Sequence, residues 1–128
     1  MIDKVKYWVE LSDYDLETAK AMLSSKRYLY VGFMCHQTIE KIFKAYYNSL
    51  FQDTAPYSHS LAYLAKKSSL LEQLSEAQKS FLDVLEPLNI EARYPSHKEK
   101  VLQSLNEQKC HELIEQTALL QQWIKTKL

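Results

Sequence analysis

The chain has 128 residues, which fits a single domain, 1–128, with one core and leaves no room for a second. Hydrophobic residues make up 46% and charged residues 25%, but there is one glycine, so glycine-dependent hairpins, dinucleotide fingerprints and P-loops are excluded. Sixteen basic residues balance sixteen acidic ones, which excludes a surface basic throughout and leaves only a local patch for nucleic acid.

The hydrophobic period is helical throughout. Ile2, Val5, Trp8, Val9, Leu16, Ala19 and Leu23 share one face of a first helix, with Lys6, Glu10, Asp13 and Glu17 opposite. Ser24, Ser25 and Lys26 form a tight connection. A second helix runs from about Arg27 to Phe51. Val31, Met34, Cys35, Thr38, Ile39, Ile42, Phe43, Ala45 and Tyr46 span half its circumference, which makes it the central helix. Gly32 within it suits the close approach of a neighbour.

Residues 52–57 read as a loop, after which Ser58 caps a short helix carrying Leu61, Leu64 and Ala65. His59 reads as a local cap contact. Ser75 and Gln78 fit a capping box opening a fourth helix, which Pro87 should kink and which should run through Ala92 to stop at Pro95. Ser104 and Glu107 suggest a second capping box for a last helix with Cys110, Leu113, Thr117, Leu120 and Ile124 inward. The expected fold is an all-α, antiparallel up-and-down four-helix bundle with an additional short helix. Trp8, Phe81 and Leu113 are expected in its core. Tyr46, Tyr47 and Phe51, with Leu105, Leu119 and Trp123, are left over as a second apolar surface, the mark of a homodimer interface.

Cys35 and Cys110 form no C-x-x-C pair and read as buried free thiols. The N-terminus has no apolar leader core, and no stretch approaches the ~18 apolar residues of a membrane span. The expected compartment is the cytoplasm, with no membrane association.

Two groups of residues could carry chemistry. His36, Gln37, Glu40, Lys41 and Lys44 form a polar stripe on the central helix, which either meets solvent or lines a cleft or subunit contact. Arg93-Tyr94-Pro95-Ser96-His97 places an arginine near a histidine: a guanidinium holds phosphate in a fork, and an imidazole moves a proton near neutral pH. Ser96, Lys98 and Lys100 add a hydroxyl and positive charge. The plainer reading is a helix stop, with Tyr94 packed and Arg93 paired to Glu91 or Glu40. His36 with Glu40, or Cys110 with His111, fits no known zinc or di-iron spacing, so no metal or other cofactor is expected.

Taken in order, Trp8 with Asp15-Leu16-Glu17-Thr18-Ala19-Lys20, then His36-Gln37-Thr38-Ile39-Glu40-Lys41 with Lys44-Ala45, then His59-Ser60-Leu61, then Arg93-Tyr94-Pro95, resemble the HEPN family of helical domains over nearly the whole chain. The resemblance implies a helix bundle, commonly a homodimer, and frequent pairing with a small nucleotidyltransferase in toxin–antitoxin or related modules. Catalytic members are metal-independent ribonucleases whose arginine and histidine stand somewhat farther apart than Arg93 and His97, which three residues separate here. The chain resembles more closely the Arg-Tyr-Pro branch, described as nucleotide-binding. The expected function is therefore a dimeric binding subunit, with Gln37, Glu40, Lys41, Lys44, Arg93 and Tyr94 toward a nucleotide, an RNA phosphate or a nucleotidyltransferase partner. The alternatives are a ribonuclease toxin in which Arg93 holds phosphate and His97 exchanges the proton, and a structural dimerisation module without ligand.

Overall fold

A computed structural model describes residues 3–90 and 94–128. It contains α1 (Asp3–Ser24), α2 (Tyr28–Leu50), α3 (Leu61–Lys67), α4 (Glu76–Leu85), α5 (Pro95–Ser104) and α6 (Glu107–Lys125), with single 3₁₀ turns at Leu71–Gln73 and Glu86–Leu88. No strand occurs among the described residues. The all-α bundle expected from the periodicity is the fold, built from six helices among the described residues.

α2 is the axis: α1 and α6 pack along it most extensively, and α3, α4 and α5 also contact it. Val31, Cys35, Ile39, Ile42 and Phe43 are completely buried on its apolar side, against Ala19 of α1 and Cys110, Leu113, Leu120 and Ile124 of α6. Gly32 is tightly enclosed, but not by the close approach of a neighbouring helix that the sequence suggested. A Cβ there would lie 3.3 Å from Leu88 Cδ1 and 3.4 Å from Leu105 Cδ1, so the neighbours are leucine tips rather than a helix backbone.

Sparse glycine shows at the helix ends. Lys26 and Ser69 adopt left-handed backbone, φ 60° and 59°, where a glycine would ordinarily sit. At the first, the amide of Arg27 reaches the Met22 carbonyl at 2.8 Å and that of Lys26 reaches Leu23 at 3.0 Å, a Schellman closure that turns α1 into α2. Ser69 closes α3 the same way, through Leu70 to Ala65 at 2.8 Å and its own amide to Lys66 at 3.1 Å.

The capping box at Ser75 and Gln78 forms as expected, with both reciprocal bonds present. Other boundaries differ. α3 is capped by Ser60, which accepts from the Tyr63 amide, while Ser58 accepts from Ser60 one step earlier. α6 is capped by Asn106, accepting from Lys109; Ser104 instead ends α5 and bonds back to Val101. Pro87 does more than kink the fourth helix: the α-helix gives way to a 3₁₀ turn that ends at Leu88. Ala92 and Arg93 lie outside the described residues. Pro95 opens a helix rather than stopping one, because at the first helical position its missing amide leaves no bond unmade.

Phe81 and Leu113 are buried as expected, whereas Trp8 is half-buried at the edge of the core. Tyr46 is buried and so belongs to the core, not to a free face; Phe51 and Leu119 are exposed, and Tyr47, Leu105 and Trp123 are half-buried.

Two outcomes test this packing. Ser69→Gly and Lys26→Gly should each stabilise the protein by about 1 kcal/mol in chemical denaturation, since each relieves a side chain held at positive φ. Leu113→Ala should cost on the order of 2–5 kcal/mol in the same measurement; a cost below about 1 kcal/mol would mean that α6 docks differently.

Candidate functional site

The polar stripe of α2 turns inward. His36 is 0% exposed and Glu40 2%; Gln37 and Lys44 are also buried and Lys41 is half-buried, so the stripe is not a solvated face. Burying a carboxylate costs several kcal/mol unless positive charge and hydrogen bonds answer it. Three basic side chains surround Glu40. Lys44 Nζ lies 3.2 Å from Oε2, His59 Nδ1 2.9 Å from Oε1, and His36 Nδ1 3.9 Å from Oε1. His59 is thus drawn to Glu40 across the fold rather than acting as a local cap. The pairing leaves its ring partly in water, with the side chain 57% exposed.

The neighbouring helix completes the arrangement. Lys41 Nζ donates to Gln37 Oε1 at 2.7 Å and to Asp15 Oδ2 of α1 at 3.4 Å. Lys44 Nζ stands 5.2 Å from the centre of the Trp8 ring. The Trp8 indole donates to Asn48 Oδ1 at 3.1 Å, and the Asn48 amide donates to the carbonyls of Phe51 and Asp53 at 3.0 and 2.7 Å. Gln37, Glu40, Lys41 and Lys44 are therefore brought together as the sequence suggested, but they are engaged with one another, with α1 and with segment 51–60.

Burial governs titration here. Desolvation pushes His36 down to about 4 from 6.5, against the pull of the Glu40 carboxylate and the His59 backbone. Among the described residues, neither ring nitrogen of His36 has a hydrogen-bond partner. Asp15 is raised by burial, which outweighs the attraction of Lys41. The Cys35 thiol, buried beside α6, is pushed up to about 12, an inert thiol rather than a nucleophile.

The second group lies at the start of α5. Tyr94 is the N-cap residue and is 82% exposed; Arg93 lies outside the described residues. His97 sits in the first turn of α5, not in a loop, and its Nε2 lies 2.9 Å from the Pro87 carbonyl. A carbonyl only accepts, so Nε2 donates its N–H to it. His97 stands at a half-open cleft of about 480 Å³ between α4, α5 and α6. Phe81, Val84, Pro87 and Leu113 provide apolar lining, and Lys100, Lys109, Glu112 and Gln116 provide polar groups. Lys109, Glu112 and Gln116 are spaced along one face of α6; no signal in the sequence singled them out, and only the placement of α4 and α5 opposite makes them a wall. Among the described residues, no group of three His, Cys, Asp or Glu side chains could hold a metal ion, and no helix is long and apolar enough to cross a membrane.

The family model of the HEPN domain matches residues 5–127. The chain belongs to the HEPN family. The fold is also that of a solved protein, the crystal structure of TT1696 from Thermus thermophilus, at a TM-score of 0.82 over 99% of this chain and 100% of that one, with 17% identity. No curated protein matches. Membership places the chain among nucleotide- or RNA-related or dimerisation modules, and HEPN domains commonly dimerise.

Two predictions concern the buried stripe. Because the folded His36 value lies below the unfolded one, the unfolded chain binds the extra proton first, so stability falls as pH drops from about 6.5 toward 4. The loss is up to about 3 kcal/mol, and His36→Phe should flatten that limb of a stability–pH profile. Asp15 acts in the opposite sense, its raised value lowering stability as pH rises through the carboxylate range. Glu40→Ala strands Lys44 in the interior and should cost about 3–5 kcal/mol in urea denaturation.

Proposed function

We propose that this HEPN domain is a dimeric binding subunit that recognises the phosphate of a nucleotide or RNA in the cleft between α4, α5 and α6. The observation that carries the reading is that His97, Lys100 and Lys109, from two helices, line one cleft whose other lining is largely apolar. Two ammonium groups attract a phosphate, and apolar walls accept the flat face of a base or sugar. Exposed Tyr94, at the head of α5, offers a ring for stacking. Gln37, Glu40, Lys41 and Lys44, outside the cleft, are proposed to act by holding α1, α2 and segment 51–60 together, and Arg93, adjoining Tyr94 in sequence, is proposed to add its guanidinium. Exposed Leu102 and Leu119, outside the lining of the cleft, supply apolar surface for dimerisation. Pairing with a small nucleotidyltransferase in a toxin–antitoxin-type module, in the cytoplasm, is proposed on the family resemblance.

One observation favours a second reading, a metal-independent ribonuclease using Arg93 and His97. The Pro87 carbonyl orients the His97 ring and selects its tautomer, the arrangement by which a general base is held ready.

Three measurements test these readings. Light scattering at micromolar concentration should show a dimer. The Lys100→Ala/Lys109→Ala double variant should weaken RNA binding by about tenfold at low salt and by much less at high salt, since screening already removes most of that attraction. In RNA incubations without metal, the binding reading expects no cleavage; cleavage lost in His97→Ala with affinity largely kept would replace it with the ribonuclease reading.

A further inference from the structure

We infer that the cleft between α4, α5 and α6 selects guanosine phosphate units, with Glu112 reading the base; this rests on the phosphate-binding reading of the same cleft. The cleft is not uniformly basic. Glu112 lines it alongside Lys100 and Lys109, and none of the three forms an ion pair among the described residues. The Glu112 side chain is held by Gln108, whose amide donates to Oε1 at 3.2 Å from within the same helix. Two ammonium groups and one carboxylate, all on solvent-exposed residues, therefore border a cavity of about 480 Å³, in the range of roughly 300–1,000 Å³ that suits a small organic ligand.

The complementary ligand carries an anion at one end and paired donors at the other, joined by an apolar plane. A carboxylate is acceptor-only, with two oxygens that take two parallel N–H groups. Among the nucleobases, guanine presents adjacent N1–H and N2–H donors on its Watson–Crick edge. Adenine presents one donor beside a ring lone pair, which would face the second carboxylate oxygen unfavourably. Val84, Pro87 and Phe81 line the α4 side as a surface for the purine face, and Gln116, one turn beyond Glu112, offers both a donor and an acceptor. Glu112 lines the cleft from α6 and Lys100 from α5, so base edge and phosphate meet groups on different helices.

Titration calorimetry on the intact protein tests the inference, using guanosine 5′-monophosphate, adenosine 5′-monophosphate, inorganic phosphate, and two short single-stranded RNAs with and without guanosine. The expected result is guanosine monophosphate binding about tenfold more tightly than the adenosine compound, the size of one bidentate base contact. Glu112→Gln, which presents one acceptor and one donor, should abolish that ratio while keeping inorganic phosphate binding, tightened if anything by the loss of a negative charge from the cleft. Tighter binding of the guanosine-containing RNA than of the free nucleotide would identify a strand as the source; the reverse would identify the mononucleotide, and either supports the assignment. Equal affinities for the two nucleotides, or a ratio that survives Glu112→Gln, would overturn the guanosine assignment while leaving phosphate recognition in place. Binding of none of these probes would overturn both.

Discussion

A single carboxylate out of water organises one side of this molecule. Glu40 sits on the central helix with almost no solvent contact, and an ion buried this deeply persists only where cations and donors surround it. The groups that answer it come from different places: Lys44 from the next turn of α2, His59 from beyond the loop. Holding His59 fixes the end of segment 51–60, and Asn48 fixes its start through the Phe51 and Asp53 carbonyls. The connection between α2 and α3, without regular structure of its own, is thereby tied down at both ends. Trp8 joins the same system, through its ring beneath Lys44 and its indole nitrogen on Asn48, so α1 is oriented by the electrostatics of α2 as well as by apolar burial.

The second arrangement follows from two prolines. Pro87 denies α4 its next backbone bond, and the chain passes through a 3₁₀ turn before Pro95 opens α5. Two short helices, α4 and α5, stand there, each in contact with α2. Glu86, within the turn, accepts from the amides of Leu61 and Ala62 at 2.6 and 3.1 Å and so anchors the beginning of α3. The Pro87 carbonyl, at a residue whose ring cannot continue the helix, is left facing His97. The interruption creates both the cleft and the fixed histidine at its mouth. Charged groups with a scaffolding role and charged groups free to meet a ligand are thus segregated to different parts of the fold.

The all-α class, the central helix, the buried cysteines and the capping box at Ser75 were all legible in one dimension. They depend on local propensity and on periodicity, which report which face of a helix seeks burial. The family was legible too, because its signature residues occur in order along the chain. Other features were decided by partners distant in sequence. The sequence leaves the stripe of His, Gln, Glu and Lys on α2 open between solvent and a cleft or subunit contact, and only the arrival of Asp15, Trp8 and His59 decides it. His59 stands 19 positions from Glu40, and Asp15 stands 26 from Lys41. Lys109, Glu112 and Gln116 look like an ordinary polar helix face until α4 and α5 stand opposite. Pro95 carries the same missing amide whether it ends a helix or begins one, and which occurs depends on where the chain beyond it docks. Apolar burial is encoded residue by residue, whereas the burial of charge is a property of pairs, and only the tertiary structure decides which pairs meet.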